Sequence, residues 1–308
     1  MGNKIRTTIL LAVMTALILW IGQQFGGRQG MIIALVIAAA MNFFSYWYSD
    51  KIVLKMYRAK EVSAQQAPEL YEIVQTLSRN AGLPMPKLFI IPNDAPNAFA
   101  TGRNPEHAVV AVTRGLLNLM DRDEVAGVLA HEMAHVKNRD ILIGSIAATM
   151  AGAIMVLASM ARWTAIFGGG GGSDDEGGGG AIGLIAMSLL APFAAMIIQM
   201  AISRSREYLA DSTGAGFAGT PEGLARALEK LGGYSKKIPM QANPSTAHMF
   251  IVNPLSGKSL MSLFSTHPPL EERIARLRGN SKPSNPVSKS VKDSREARAR
   301  AMWDRLSE

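Results

Sequence analysis

The 308-residue chain has no cysteine. That excludes a disulfide framework, thiolate metal ligands and a cysteine nucleophile, so any metal must be held by His, Asp and Glu. Charge is also scarce. Charged residues make up 18% of the chain, below the quarter or so usual for soluble domains, while hydrophobic residues reach 48% and mean hydropathy is +0.13. This balance rules out a disordered chain, a collagen and a coiled coil. A phosphate-binding loop is missing too. Gly257-Lys258-Ser259 has Val252 where G-x-x-x-x-G-K-S would need its first glycine, so no ATP-driven step is expected. No internal repeat is evident.

In place of charge the chain has long apolar runs. Residues 7–27, 29–49, 141–161 and 177–203 contain no charged side chain. Each is long enough for a helix crossing the roughly 30 Å of hydrocarbon in a bilayer. A second apolar run follows the first at once, and no small-residue cleavage site intervenes, which favours an anchor over a cleaved signal. The fold class expected is a mainly α membrane protein with four transmembrane helices, at about 7–25, 31–48, 141–161 and 181–203. Basic residues set the orientation. Lys4 and Arg6, Lys51 to Lys60, Lys137 and Arg139, and Arg204 and Arg206 flank the spans on one side, whereas Asp174, Asp175 and Glu176 lie on the other. Both termini and the segments between the hairpins are therefore expected in the cytoplasm. Much of the net charge of +8 is then topological and requires no nucleic acid.

The chain divides accordingly into a hairpin at 1–48, a cytoplasmic part at 49–140, a second hairpin at 141–203, a second cytoplasmic part at 204–280 and a basic tail at 281–308. The Gly168–Gly180 stretch inside the second hairpin is a low-complexity tether. The tail is polar, lacks interleaved aromatics apart from Trp303 and is expected to be mostly disordered. PELYEIVQTLSRNAG predicts a helix with Pro68 in its first turn and Gly82 as its stop. KLFIIP, NAFATG and HAVVAVT predict short strands. Asp121 and Glu124 have the spacing of a capping box for a helix reaching about Asn138. Further helices are expected over SRSREYLADSTG, after Thr220-Pro221 and over PPLEERIARLRG.

His131-Glu132-Met133-Ala134-His135 carries the chemistry. Positions i and i+4 share a helix face, so both imidazoles can reach one zinc ion. Glu132 is rotated about 100° from His131 and can take a proton from an attacking water without ligating the metal. A catalytic zinc wants a third protein ligand and one open position. The extension that would supply a third His needs Gly at 138 and His at 141, where the chain has Asn138 and Ile141. Among carboxylates Glu207 stands out, with Asp211 one turn on, placed to orient a ligating His through its other ring nitrogen. Spacing alone leaves Glu207 equally a surface carboxylate paired with Arg204 or Arg206.

HEMAHVKNRD, SREYLAD and THPPLEERI, together with PNAFATG, resemble the motifs of HtpX-type membrane zinc metalloproteases, gluzincins related to the CAAX prenyl proteases. The resemblance covers nearly the whole chain before the tail. It implies a zincin-like α+β catalytic domain with a small sheet, a single zinc ion on His131, His135 and Glu207, and Glu132 as general base. It also draws in His267 and Arg273, as oxyanion stabilisers, contacts to a substrate carboxylate or a reversible fourth ligand, or alternatively as a helix cap and a salt bridge. Asn97 lies on a strand whose edge could hydrogen-bond an extended substrate. His107 and His248 read as structural histidines. The function implied is hydrolysis of misfolded or membrane proteins in quality control, with polypeptides and the lipid bilayer as partners and no nucleic acid. A CAAX-type prenyl-protein protease is the nearest rival, although that relative has more spans. A membrane zinc-binding or transport protein would place His or Asp inside the spans, which here carry neither His nor charge.

Overall fold

In a computed structural model of the chain, the structure describes residues 3–167, 204–234, 245–252 and 268–279. The chain opens with α1, Asn3–Met56, helical except at Gly27, where φ is +56°. That left-handed value suits glycine, and there the helix reverses. The two arms then lie side by side: a Cβ on Gly22 would meet Gly30 O at 2.6 Å, and Asn42 Nδ2 donates to Thr15 Oγ1 at 2.9 Å. The second arm continues past position 48 to Met56.

Residues 27–56 form the one helix, among the described residues, that is long and apolar enough to cross a bilayer, with mean hydropathy 1.7. Only 17% of its most apolar stretch is buried inside the protein, and Ile32, Ile33, Val36, Ile37, Phe43 and Phe44 face outward. A core helix of a soluble protein would bury that surface, which a lipid environment covers instead. Thr7–Trp20 and Ile141–Gly152 are shorter apolar stretches. The latter begins α5, Ile141–Phe167, which packs Ile143, Ile146, Met150 and Ile154 against Leu10 and Met14 of α1.

A four-stranded mixed sheet lies beside the hairpin. Its strands are β1 (Lys60–Glu61), β2 (Lys87–Ile91), β3 (Ala98–Thr101) and β4 (Val109–Thr113), in spatial order β1-β2-β4-β3. β2 and β4 run parallel, and the outer pairs are antiparallel. The three strands expected from KLFIIP, NAFATG and HAVVAVT are those observed; two-residue β1 is too short to carry a sequence pattern. β3 is an edge strand and runs along the metal centre described below.

Helices α2 (Pro68–Ala81), α3 (Arg114–Leu119), α4 (Arg122–Lys137), α6 (Arg204–Ala218), α7 (Glu222–Tyr234) and α8 (Leu270–Leu277) surround the sheet. Gly82 closes α2 in the left-handed conformation, with φ at +62°. Asp121 and Glu124 form the expected reciprocal capping box at the start of α4. Apolar residues of α2, the strands, α4, α7 and α8 share one core, and α4 runs through its middle: Val128, Leu129, Ala130 and Met133 are all buried. Core burial therefore fixes the face of α4 that carries the histidines.

α4 does not run straight into α5, as a continuous helix from the motif into the apolar run would. Arg139 takes φ at +58° and breaks the path. Asp140 then folds back, its backbone N–H donating to His135 O at 2.9 Å. The turn turns Asp140 from a flanking charge into a partner of the site.

Candidate metal centre

His131 and His135 stand one turn apart on α4, with ring centroids 4.8 Å apart. α6 crosses α4 at this point. Glu207, Asp211 and Gly214 share one face of α6 at the i, i+4, i+7 spacing, and all three are buried. Gly214 permits the crossing, since a Cβ there would lie 2.8 Å from His131 N and 2.9 Å from Ala130 O. Backbone contact at Gly214 brings Glu207, two turns earlier, against the imidazoles.

Ligand atoms of His131, His135 and Glu207 lie within 4.8 Å of one another, the one such grouping among the described residues. The Nε2 atoms of the two histidines are 3.2 Å apart. Glu207 Oε2 is 3.7 Å from His131 Nε2, and Oε1 is 3.5 Å from His135 Nε2. Two donors on tetrahedral zinc, each about 2.0–2.1 Å from it, stand about 3.3 Å apart. The donor set and its spacing fit zinc with few adjustments.

Each histidine has a carboxylate behind it. His131 Nδ1 lies 2.9 Å from Asp211 Oδ1, and His135 Nδ1 lies 3.1 Å from Asp140 Oδ2. Both leave Nε2 turned toward the metal position, the arrangement that fixes tautomer and ring orientation in zinc sites. Asp211 was expected in this place. Asp140 carries no such signal in its spacing: it is five residues from His135, off the helical face, and only the turn at Arg139 returns it. Arg206 Nη1 donates to Asp140 Oδ1 at 3.4 Å, joining the start of α5 to the start of α6. Replacing Asp140 by Asn should weaken zinc binding about 10–100-fold, measured by competition with a chromogenic chelator. An unchanged affinity would show that Asp140 does not orient the ring.

Glu132 is 2% exposed and borders the same cavity as the three candidate ligands. Its Oε2 accepts from the Ala100 N–H of β3 at 2.8 Å, so the edge strand holds it beside the ligand set and outside it. Burial pushes its carboxyl up to about 8, although His135 opposes the rise. Burial pushes His135 the other way, but Asp140, Glu207 and Glu132 together carry it up to about 9. Burial also holds His131 low, helped by the Arg273 guanidinium. Burial works against ionisation of Asp211, but Arg273 and His131 outweigh it and keep this carboxyl below its usual range.

Arg273 is fully buried. It grips Asp211 through two bonds, Nε to Oδ2 at 2.9 Å and Nη2 to Oδ1 at 2.7 Å, and its Nη1 donates to Ile251 O at 3.0 Å. Its Nη2 also lies 3.4 Å from His131 Nε2, and its Nη1 lies 3.9 Å from Glu207 Oε2. Asn97 is buried as well. Its side-chain amide donates to Val252 O at 3.1 Å, and its Oδ1 accepts from Ala98 N–H. His267 lies outside the described residues. His107 is at the surface, its Nδ1 2.7 Å from Asn104 Oδ1. His248, by contrast, borders the metal cavity, so it is not a remote structural histidine. No spacing rule marks it, because it sits in an irregular segment that tertiary contacts place.

A helix with two histidines one turn apart, a carboxylate from a second helix and a free acid between them define a zincin-type metallopeptidase centre. The family model described as peptidase family M48 matches residues 64–281, and the chain belongs to that family. Curated relatives that carry the name Protease HtpX homolog include the following three. That of Desulforapulum autotrophicum is 70% identical over 308 residues, covering 99% of this chain and 100% of the relative. That of Desulfatibacillum aliphaticivorans is 67% identical, with the same coverage of 99% and 100%. That of Syntrophobacter fumaroxidans is 64% identical, covering 90% of this chain and 99% of the relative. Among solved structures, a crystal structure of S. mikatae Ste24p overlays with a TM-score of 0.49 at 20% identity, covering 89% of this chain and 65% of that one. The protein is thus a membrane-bound metalloprotease, a hydrolase acting on polypeptides, rather than a passive zinc-binding protein.

Proposed function

We propose that the chain is a zinc-dependent endopeptidase that cleaves unfolded or membrane-proximal polypeptides in quality control at the cytoplasmic face. What supports this most is the convergence of His131, His135 and Glu207 within 4.8 Å, with Glu132 held beside them by β3. Zinc bound there would supply a Lewis acid that polarises the scissile carbonyl and makes water acidic enough to attack near neutrality. Glu132 takes the proton of the attacking water and passes it to the leaving amine. Asp211 and Asp140 hold the two imidazoles in their tautomers. Arg273 acts through Asp211 as a positioning residue, with its guanidinium also beside His131 and Glu207. Asn97 keeps residues 251–252 on β3.

The membrane half of the proposal is a four-span topology, with the spans at 7–25, 31–48, 141–161 and 181–203 and the catalytic parts in the cytoplasm. Residues 181–203 and the Gly-rich loop lie outside the described residues. The cavity is bordered by Ile141 and Gly144, in the first turn of an apolar helix, which favours substrates held at the bilayer surface. The test uses full-length protein in proteoliposomes and one unfolded substrate, made with and without a membrane tether. Cleavage should stop on chelation, return with one equivalent of zinc, and be faster for the tethered form. Chelator-insensitive cleavage would remove the zinc reading; equal rates for the two substrates would remove only the preference for the membrane.

A further inference from the structure

Residues 245–252 run beside the metal cavity without regular structure beyond one short turn at Ala247–Met249. His248, Met249, Phe250 and Ile251 form one wall of that cavity. The segment is anchored on three sides. Against α5, His248 Nε2 donates to Gly144 O at 3.2 Å, and Ser245 lies beside Gly152. Against the end of α1, Thr246 hydrogen-bonds the Tyr57 hydroxyl, and Phe250 packs edge-on to Tyr57 with centroids 5.2 Å apart. Against β3, Phe250 packs edge-on to Phe99 at 5.4 Å, and Ile251 N–H donates to Ala98 O at 3.2 Å. Ser245, Thr246, Phe250 and Ile251 are all buried. Irregular backbone beside apolar helices is tolerated only when protein covers it in this way.

The bond to Ala98 O is informative. β3 is an edge strand, and its outward backbone groups are what an extended chain would use to add itself to the sheet. Among them, Ala98 O is taken by Ile251 N–H and Ala100 N–H by Glu132. The cavity at the ligands is about 60 Å³, room for a few waters at roughly 10–15 Å³ each, and this segment walls it on one side. Phe250, meanwhile, fills an apolar seat between Tyr57 and Phe99.

We infer that Ser245–Val252 is an intrasteric strap lying where substrate must lie, and that a polypeptide reaches the metal only by displacing it from β3. This rests on the peptidase reading of the metal cluster and adds to it the kind of substrate that succeeds. Such a substrate is an extended chain, able to pair with the edge of β3 and bearing an aromatic or large aliphatic side chain for the seat of Phe250. Folded domains, whose strands are already paired, are refused without any motor.

The absence of native cysteine allows a direct test. A Cβ on Gly152 would stand 3.9 Å from Ser245 Cβ, within the 3.5–4.5 Å range of a disulfide. The Gly152→Cys/Ser245→Cys protein, full-length in detergent and loaded with zinc, should lose at least tenfold in cleavage of unfolded casein when oxidised and recover when reduced. Equal rates in the two states would overturn the strap, yet leave the peptidase reading intact, because cleavage by the reduced protein and its sensitivity to chelator report on that separately. A second variant guards against a folding artefact. Thr246→Val keeps the shape and removes the bond to Tyr57, so it should raise kcat/KM on casein about two- to tenfold. No rise at unchanged zinc content would also overturn the proposal.

Discussion

Replacing Glu132 by Gln is expected to leave zinc in place and to lower turnover about 10²–10⁴-fold, the usual contribution of a positioned general base. Gln has the shape of Glu, and its carbonyl oxygen can still accept the Ala100 N–H that now reaches Oε2 at 2.8 Å. The side chain should therefore stay where it is. What is lost is the ability to take a proton. His131→Ala differs in kind: it removes a candidate ligand and should lose metal and activity together. Metal analysis beside a proteolysis assay on both variants separates the two roles. A Glu132→Gln protein that turns over like the wild type would sink the mechanism, whatever its zinc content.

The second large effect is expected at a residue with no chemistry of its own. Gly214→Val should abolish zinc binding and proteolysis, with overpacking adding about 1–3 kcal/mol of destabilisation. The reason is backbone contact: a Cβ at 214 falls 2.8 Å from His131 N and 2.9 Å from the carbonyl of Ala130. Since backbone cannot rotate out of the way, α6 must move off α4 and take Glu207 with it. Gly216 is the internal control. It lies on the same helix with nothing within 4 Å of its Cβ position, so Gly216→Ala should keep zinc and, by helix propensity, gain up to about 1 kcal/mol. If Gly214→Val bound one zinc with wild-type affinity, the crossing would not be what assembles the site.

Some of this architecture is legible from local pattern. The two histidines share a face because four residues make about one turn, and Glu132 is turned aside by the same arithmetic. Pro68, Gly82 and the Asp121–Glu124 pair mark helix ends through bonds made within a few residues, and each stands where it was expected. The apolar runs report lipid-compatible length without any knowledge of packing. Glu207 is a different case. Its spacing to Asp211 suggests a ligand and its partner, but an exposed ion pair fits the spacing equally, and family resemblance favours the first.

Other features depend on contacts between residues distant in the chain. Asp140 becomes a partner of His135 only because Arg139 breaks the helix in the left-handed region. Arg273 reaches the site from a remote helix because Asp211 and the carbonyl of Ile251 fix its guanidinium there, beside His131 and Glu207. His248 borders the metal cavity because the strap is held by α1, α5 and β3 at once. The amino-acid sequence by itself determined that His131 and His135 can share a metal with Glu132 set aside to move a proton, and which stretches suit a bilayer, since these follow from residue chemistry and from periods of a few residues. Only the tertiary structure decided how closely α6 may approach α4, which carboxylate stands behind each imidazole, and what lies across the cleft. Those depend on backbone approach and on burial shared between remote segments, which carry no periodic signature along the chain.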